Sequence, residues 1–123
     1  MQKALVIDDS RTMRMIVGRT VKDLGFDITE AGNGQEALDC LNRESGFALI
    51  LCDWNMPVMN GFEFIQKIRT DFRYSNCLVV MVTTETDTQQ MLRALEAGAN
   101  EYIMKPFTRD TLEEKLRILG VLN

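Results

Sequence analysis

The stretch Leu49-Ile50-Leu51-Cys52-Asp53-Trp54-Asn55-Met56-Pro57-Val58-Met59-Asn60-Gly61 decides how the rest of the chain is read. Apolar or small residues run into a carboxylate and a Pro and Gly turn follows, the pattern of a buried strand ending on an exposed acid. Such an acid either forms the turn or serves a site, and Asp53 alone favours the turn. The rest of the chain changes that balance. Asp8 and Asp9 close another apolar strand, and Thr83 and Lys105 stand at the ends of two more.

Outward from this stretch, short apolar runs alternate with segments of helical spacing. Lys3 to Ile7 predicts a strand, and Asp8-Asp9-Ser10 opens a helix marked by Met13, Ile16, Val17, Val21 and Leu24 and ended by Gly25. Phe26 to Ala31 predicts a second strand, followed by a helix carrying Ala37, Leu38 and Leu41. Phe47 to Cys52 is the most apolar strand, expected at the centre and covered on both faces. Phe62, Ile65 and Ile68 mark a third helix, fading at Asp71 to Asn76. Cys77 to Val82 predicts a fourth strand; Thr88, Met91, Leu92 and Leu95 mark a helix that stops at Gly98. Tyr102 to Met104 is a brief fifth strand, and Thr108 caps a last helix with Leu112, Leu116 and Leu119 inside.

Five strands alternating with five helices through short loops predict an α/β fold: a doubly wound parallel sheet in one domain spanning residues 1–123. The common order for five βα units is 2-1-3-4-5, which reverses between the first and third strands. Those strands end in Asp8-Asp9 and in Asp53. Ligands bind at such a reversal, at the carboxyl ends of the strands.

Three carboxylates brought together repel, so a fold must protonate one or recruit a cation. An all-oxygen, partly hydrated site suits Mg²⁺. Asp9 and Asp53 are the expected direct ligands, Asp8 acts partly through water, and the Asn55 carbonyl completes the set. Helix capping by Asp8-Asp9-Ser10 is the bland alternative, compatible with metal binding. A Lys105-Pro106 bond beside a short strand is a candidate cis peptide that would aim the ammonium inward. With Mg²⁺ and Lys105 the three acids reach neutrality. The Thr83 hydroxyl at the same rim would donate to an anionic ligand oxygen.

Composition narrows the classes further. With 123 residues, 46% apolar and 26% charged, the chain reads as a globular domain that folds without staples. A formal charge of -4 argues against nucleic acid and anionic membranes as partners. No run approaches a membrane span and no signal-peptide pattern opens the chain, so a cytoplasmic protein is expected. Cys40, Cys52 and Cys77 read as buried free thiols. The absence of histidine removes Ser-His-Asp and Cys-His catalysis, the usual zinc sets and a phosphohistidine donor role.

Asp8-Asp9, Asp53-Trp54-Asn55-Met56-Pro57, Thr83, Tyr102, Lys105-Pro106-Phe107-Thr108 and Thr111-Leu112-Glu113-Glu114-Lys115-Leu116, each in its βα context, resemble the receiver domains of two-component response regulators. The single-domain chemotaxis regulators are the most similar branch, and the match spans essentially the whole chain. The resemblance implies a flavodoxin-like fold and a signalling switch rather than a metabolic enzyme. Asp53 would accept a phosphoryl group from a sensor histidine kinase, or from a small donor such as acetyl phosphate, with Mg²⁺ (or Mn²⁺ in its place) on Asp8, Asp9 and Asp53. Lys105 and Thr83 would hold the phosphoryl oxygens. Asn55 and Glu85 would tune the lifetime of the aspartyl phosphate toward fast self-dephosphorylation. Thr83 and Tyr102 would carry the switch to a face made of helix four, strand five and helix five.

A flagellar switch protein is the partner that the chemotaxis branch implies, with a phosphatase as a further partner and a monomer as the working unit. Relay of the phosphoryl group to another histidine protein, or service as a phosphate sink, is the runner-up. Two other classes fit less well. An Mg²⁺-dependent phosphatase with an aspartyl nucleophile needs a second acid where Asn55 stands, and a cap domain. A flavin carrier needs a Gly, Ser and Thr cradle where Asp8-Asp9-Ser10 stands. Two departures from the family are visible: helix four begins Asp87-Thr88-Gln89-Gln90 without lysines, and Asn60 replaces the usual Asp before Gly61.

Overall fold

The computed structural model describes residues 2–84 and 88–122. The elements are β1 (Gln2–Ile7), α1 (Arg11–Asp23), β2 (Phe26–Ala31), α2 (Gly34–Arg43), β3 (Phe47–Cys52), α3 (Gly61–Arg69), a 3₁₀ turn (Phe72–Tyr74), β4 (Leu78–Thr83), α4 (Thr88–Ala97), β5 (Glu101–Met104) and α5 (Arg109–Ile118). All neighbouring strands pair in parallel, in the order β2-β1-β3-β4-β5. The predicted order is thus the observed one. Thr83, expected just beyond its strand, is the last residue of β4.

Strand alternation divides the core into two layers. Leu5, Ile7, Ile50, Cys52, Val79 and Met81 point toward α2, α3 and α4, where they meet Ala37, Leu41, Phe64, Ile65, Ile68 and Ala94. Ala4, Val6, Leu49, Leu51, Val80 and Val82 point the other way, onto Val17 and Val21 of α1 and Leu112 and Leu116 of α5. Both faces of β3 are covered, and Leu49, Ile50, Leu51 and Cys52 are at most 1% exposed. That explains its unbroken apolar run, since each buried side chain of this size contributes about 1.5–3 kcal/mol.

The helix ends follow local chemistry. Ser10, Asn33, Asn60 and Thr108 cap α1, α2, α3 and α5 by accepting the N–H three residues on, and Asn60 and Glu63 complete a reciprocal capping box. Lys105-Pro106 is cis, and Cys40, Cys52 and Cys77 are buried free thiols.

Two helices depart from their expected inner faces. Ile16 on α1 is 55% exposed, because Gly18 is the residue that faces Ile28 and brings the helix axis close to β2. On α4 only Ala94 is buried, while Leu92 and Leu95 face outward. Helical periodicity identifies an apolar stripe but not how much of it a neighbour covers.

Val58, in the loop after β3, has φ 70 and is 81% exposed. Met59 N–H donates to the Pro57 carbonyl at 2.7 Å and closes a three-residue turn around it. This is the rare γ-turn sense, and a β-branched residue held at positive φ costs about 1–2 kcal/mol. Val58→Asn is expected to stabilise the fold by about 1 kcal/mol, since Asn tolerates that region. A higher urea midpoint at constant slope checks this; an unchanged midpoint would mean that the turn carries no strain.

Candidate functional site

The parallel ladders run one residue beyond the strands, and this extension assembles the site. Asp8 N–H donates to the Ala31 carbonyl at 3.1 Å, continuing the β1 to β2 ladder. Asp53 N–H donates to the Ile7 carbonyl at 3.0 Å, continuing β3 onto β1, and Lys105 N–H donates to the Thr83 carbonyl at 2.9 Å. Backbone pairing therefore sets the two acidic segments side by side before any side-chain interaction is considered. Asp8, Asp9 and Asp53 each offer an oxygen within 4.8 Å of the others.

Asp53 is 8% exposed, so the acid expected at an exposed strand end is instead buried. The loop after it folds back: Gly61 N–H donates to the Trp54 carbonyl at 2.9 Å, and a Cβ on Gly61 would collide with the Asp53 carbonyl oxygen. Only glycine lets α3 begin there. Capping by the first acidic segment is present beside the cluster, since Ser10 caps α1 and its N–H donates to Asp8 Oδ1, whereas α3 is capped by Asn60 and not by Asp53.

Asp8 is 4% exposed and held at both oxygens: Oδ1 accepts Ser10 N–H at 2.9 Å, and Oδ2 accepts Lys105 Nζ at 2.9 Å. Lys105, 9% exposed at its side chain, also lies 3.7 Å from Asp53 Oδ1. That same Oδ1 accepts Trp54 N–H at 2.8 Å. Among the described residues no hydrogen bond reaches Asp53 Oδ2. Asp9 is exposed at the mouth.

Burial pushes the Asp53 carboxyl up to about 6; Lys105 and Trp54 N–H oppose the rise, while Asp8 and Asp9 add to it. One ammonium thus leaves three carboxylates short of neutrality. A dense, all-oxygen, incompletely neutralised cluster fits a hard cation such as Mg²⁺. Burial, with Asp53 and Asp8 beside it, raises the adjacent Cys52 thiol well above its ordinary range, which keeps it protonated and inert.

The remaining expected residues are distributed around this cluster. Thr83 is wholly buried at the end of β4, and Tyr102, opposite Met81 in register, is buried with its ring already inside. Asn55 is exposed, two residues after Asp53. Glu85 and Asp87 lie outside the described residues. Trp54 is buried and stacks on Phe62 with ring centroids 5.6 Å apart, and Arg93 of α4 lies 4.6 Å over the Phe62 ring.

Two residues escaped the sequence reading. The steric demand on Gly61 was hidden inside a generic turn signal. Arg14, whose guanidinium donates to the Asp8 carbonyl at 2.8 Å, carries no local motif at all.

Comparison with known proteins agrees with this architecture. Residues 4–117 match the response regulator receiver domain. A chemotaxis protein CheY homolog of Campylobacter jejuni is 46% identical over 120 residues, covering 96% of this chain and 92% of that protein. Chemotaxis protein CheY1 of Helicobacter pylori is 43% identical over 118 residues, covering 95% of each. Among solved structures, the chemotaxis protein CheY4 of Vibrio cholerae superposes with a TM-score of 0.88 at 36% identity, over 96% of this chain and 98% of that one.

The raised Asp53 carboxyl has a consequence for stability. Without a cation, the stability linked to this group is fully present below its unfolded value of 3.8 and is lost as pH rises through about 6. In EDTA, Asp53→Asn is expected to raise unfolding free energy by about 2 kcal/mol at neutral pH, shrinking to a few tenths near pH 4. Urea unfolding at both pH values checks this; a gain independent of pH would trace the effect to packing, not charge.

Proposed function

The chain belongs to the response regulator receiver family, and on that premise we propose that Asp53 is a phospho-acceptor whose modification is the protein's signal. The observation that carries the reading is the convergence of three carboxylates within 4.8 Å of one another, with Lys105 Nζ 2.9 Å from Asp8 at the carboxyl ends of β1 and β3. Phosphoryl transfer through a loose transition state needs alignment and charge neutralisation more than a strong base. This cluster offers the acceptor together with the carboxylates that would hold a neutralising cation.

In this reading Asp53 Oδ2 forms the bond to phosphorus as the bond to the donor breaks, the donor being the phosphohistidine of a sensor histidine kinase or a small acyl phosphate. Trp54 N–H, on Oδ1, holds the carboxylate so that Oδ2 faces the donor. A bound Mg²⁺ would neutralise charge on the transferred group, and Mn²⁺ would serve with the same oxygen ligands. Asp9 and Asp53 would be its direct carboxylate ligands and Asn55 would lend its carbonyl. Asp8, with both oxygens already engaged, would act through water. Lys105 and the Thr83 hydroxyl would take the phosphoryl oxygens, and Asn55 with Glu85 would set how fast water removes the group.

Thr83 and Tyr102 would form the switch. They sit on neighbouring strands, β4 and β5, beneath α4. The surface they would bias has uncovered apolar residues: Leu92 and Leu95 on α4, Met104 on β5 and Ile118 on α5. The curated chemotaxis relatives support a flagellar switch protein as the partner for this surface, with residues 1–123 acting as one receiver unit in the cytoplasm.

Acetyl phosphate with Mg²⁺ is expected to add ~80 Da, as one phosphoryl group does. Asp53→Asn or EDTA should abolish the gain, and Lys105→Met should slow it about 100-fold. Intact-mass spectrometry reads all of these. Undiminished labelling of Asp53→Asn would overturn the acceptor assignment. The phosphorylated form should bind a flagellar switch protein and keep its phosphoryl group, whereas transfer onto a histidine protein would mark a relay.

A further inference from the structure

Arg14 of α1 is absent from every role above, yet its guanidinium ties together three segments that border the acidic cluster. Nη1 donates to the main-chain carbonyl of Asp8 at 2.8 Å, and Nε donates to Glu30 Oε1 on β2 at 3.1 Å. Its side chain is 19% exposed. Gly32 leaves room beside it, since a Cβ there would come within 3.5 Å of Nη1.

The bonded carbonyl matters because it belongs to the peptide unit that leads into Asp9. Among the described residues no hydrogen bond reaches the Asp9 carboxylate, so its direction depends on the backbone that carries it. Asp8 has other anchors, through its N–H and both carboxylate oxygens. Those anchors hold the residue and its side chain. Its carbonyl, and with it the course of the chain toward Asp9, answers to Arg14.

We propose that Arg14 is a positioning residue for the cation site: held by Glu30, it fixes the Asp8–Asp9 peptide so that the Asp9 carboxylate stays in reach of Asp53. The inference rests on the metal reading of Asp8, Asp9 and Asp53 given above. A guanidinium near the cluster is also a positive charge, which by itself repels a dication. Positioning and charge therefore predict opposite signs. If positioning dominates, loss of Arg14 weakens Mg²⁺ binding; if charge dominates, loss of Arg14 strengthens it. Lysine separates the two again, since it keeps the charge but not the planar fork that reaches two acceptors.

The test is an Mg²⁺ titration read by Trp54 fluorescence, at fixed ionic strength and pH, on the wild type, Arg14→Met, Arg14→Lys and Glu30→Gln, with thermal melts alongside. Groups that orient metal ligands typically change affinity 10- to 100-fold. Arg14→Met is expected to weaken Mg²⁺ about tenfold, Arg14→Lys to recover less than half of that loss, and Glu30→Gln to weaken it about threefold. Equal or tighter binding by Arg14→Met, or full recovery by Arg14→Lys, overturns the inference and leaves the metal site standing. Should Arg14→Met not fold, Glu30→Gln decides, and wild-type affinity there overturns it. No saturable response in the wild type overturns the metal reading and this inference together.

Discussion

Repulsion among three carboxylates is the constraint on which this molecule is organised. Hydrogen bonds of the parallel ladders, each continued one residue past its strand, force Asp8 and Asp53 together. Lys105 offsets part of the repulsion, arriving from β5 across 97 positions of sequence. Burial raises the Asp53 carboxyl, and the repulsion left from Asp8 and Asp9 adds to that rise. A site left in this condition gains from each cation or neutralising ligand that reaches it, and a phosphoryl acceptor needs that bias.

The same geometry separates rigidity from response. β1 and β3 are interior strands covered on both faces, so Asp8 and Asp53 stand on a firmly packed part of the sheet. Thr83 and Lys105 stand at the ends of β4 and β5, on the side that leads to α4. There the packing is thinner: Ala94 is the only buried residue of α4, and Leu92 and Leu95 face outward. Charge gathered at the rigid half would thus be read out at the softer half, which is the arrangement a population shift requires.

Much of this was legible in the residues. The apolar run into Asp53 announced a central strand, and alternation of strands and helices with short loops led to the 2-1-3-4-5 order. That order alone brought Asp8 and Asp9 to Asp53. Capping chemistry at Ser10 and Thr108 was equally local and equally readable. What stayed hidden depends on contacts between distant segments. Burial of Asp53 comes from Gly61 and Trp54 folding back over it, Ile16 is exposed because Gly18 draws α1 inward, and Val58 adopts positive φ because the loop must turn there. Arg14 acts on a main-chain carbonyl, a contact that leaves no signature in residue type or spacing.

The most direct test of the central claim identifies the modified atom. Borohydride reduces an acyl phosphate to an alcohol, so protein treated with acetyl phosphate and Mg²⁺, then with borohydride, should carry homoserine in place of Asp53. Peptide mass spectrometry would show that conversion at position 53 alone, and only when Mg²⁺ was present. Conversion at Asp8 or Asp9 with Asp53 intact would contradict the account.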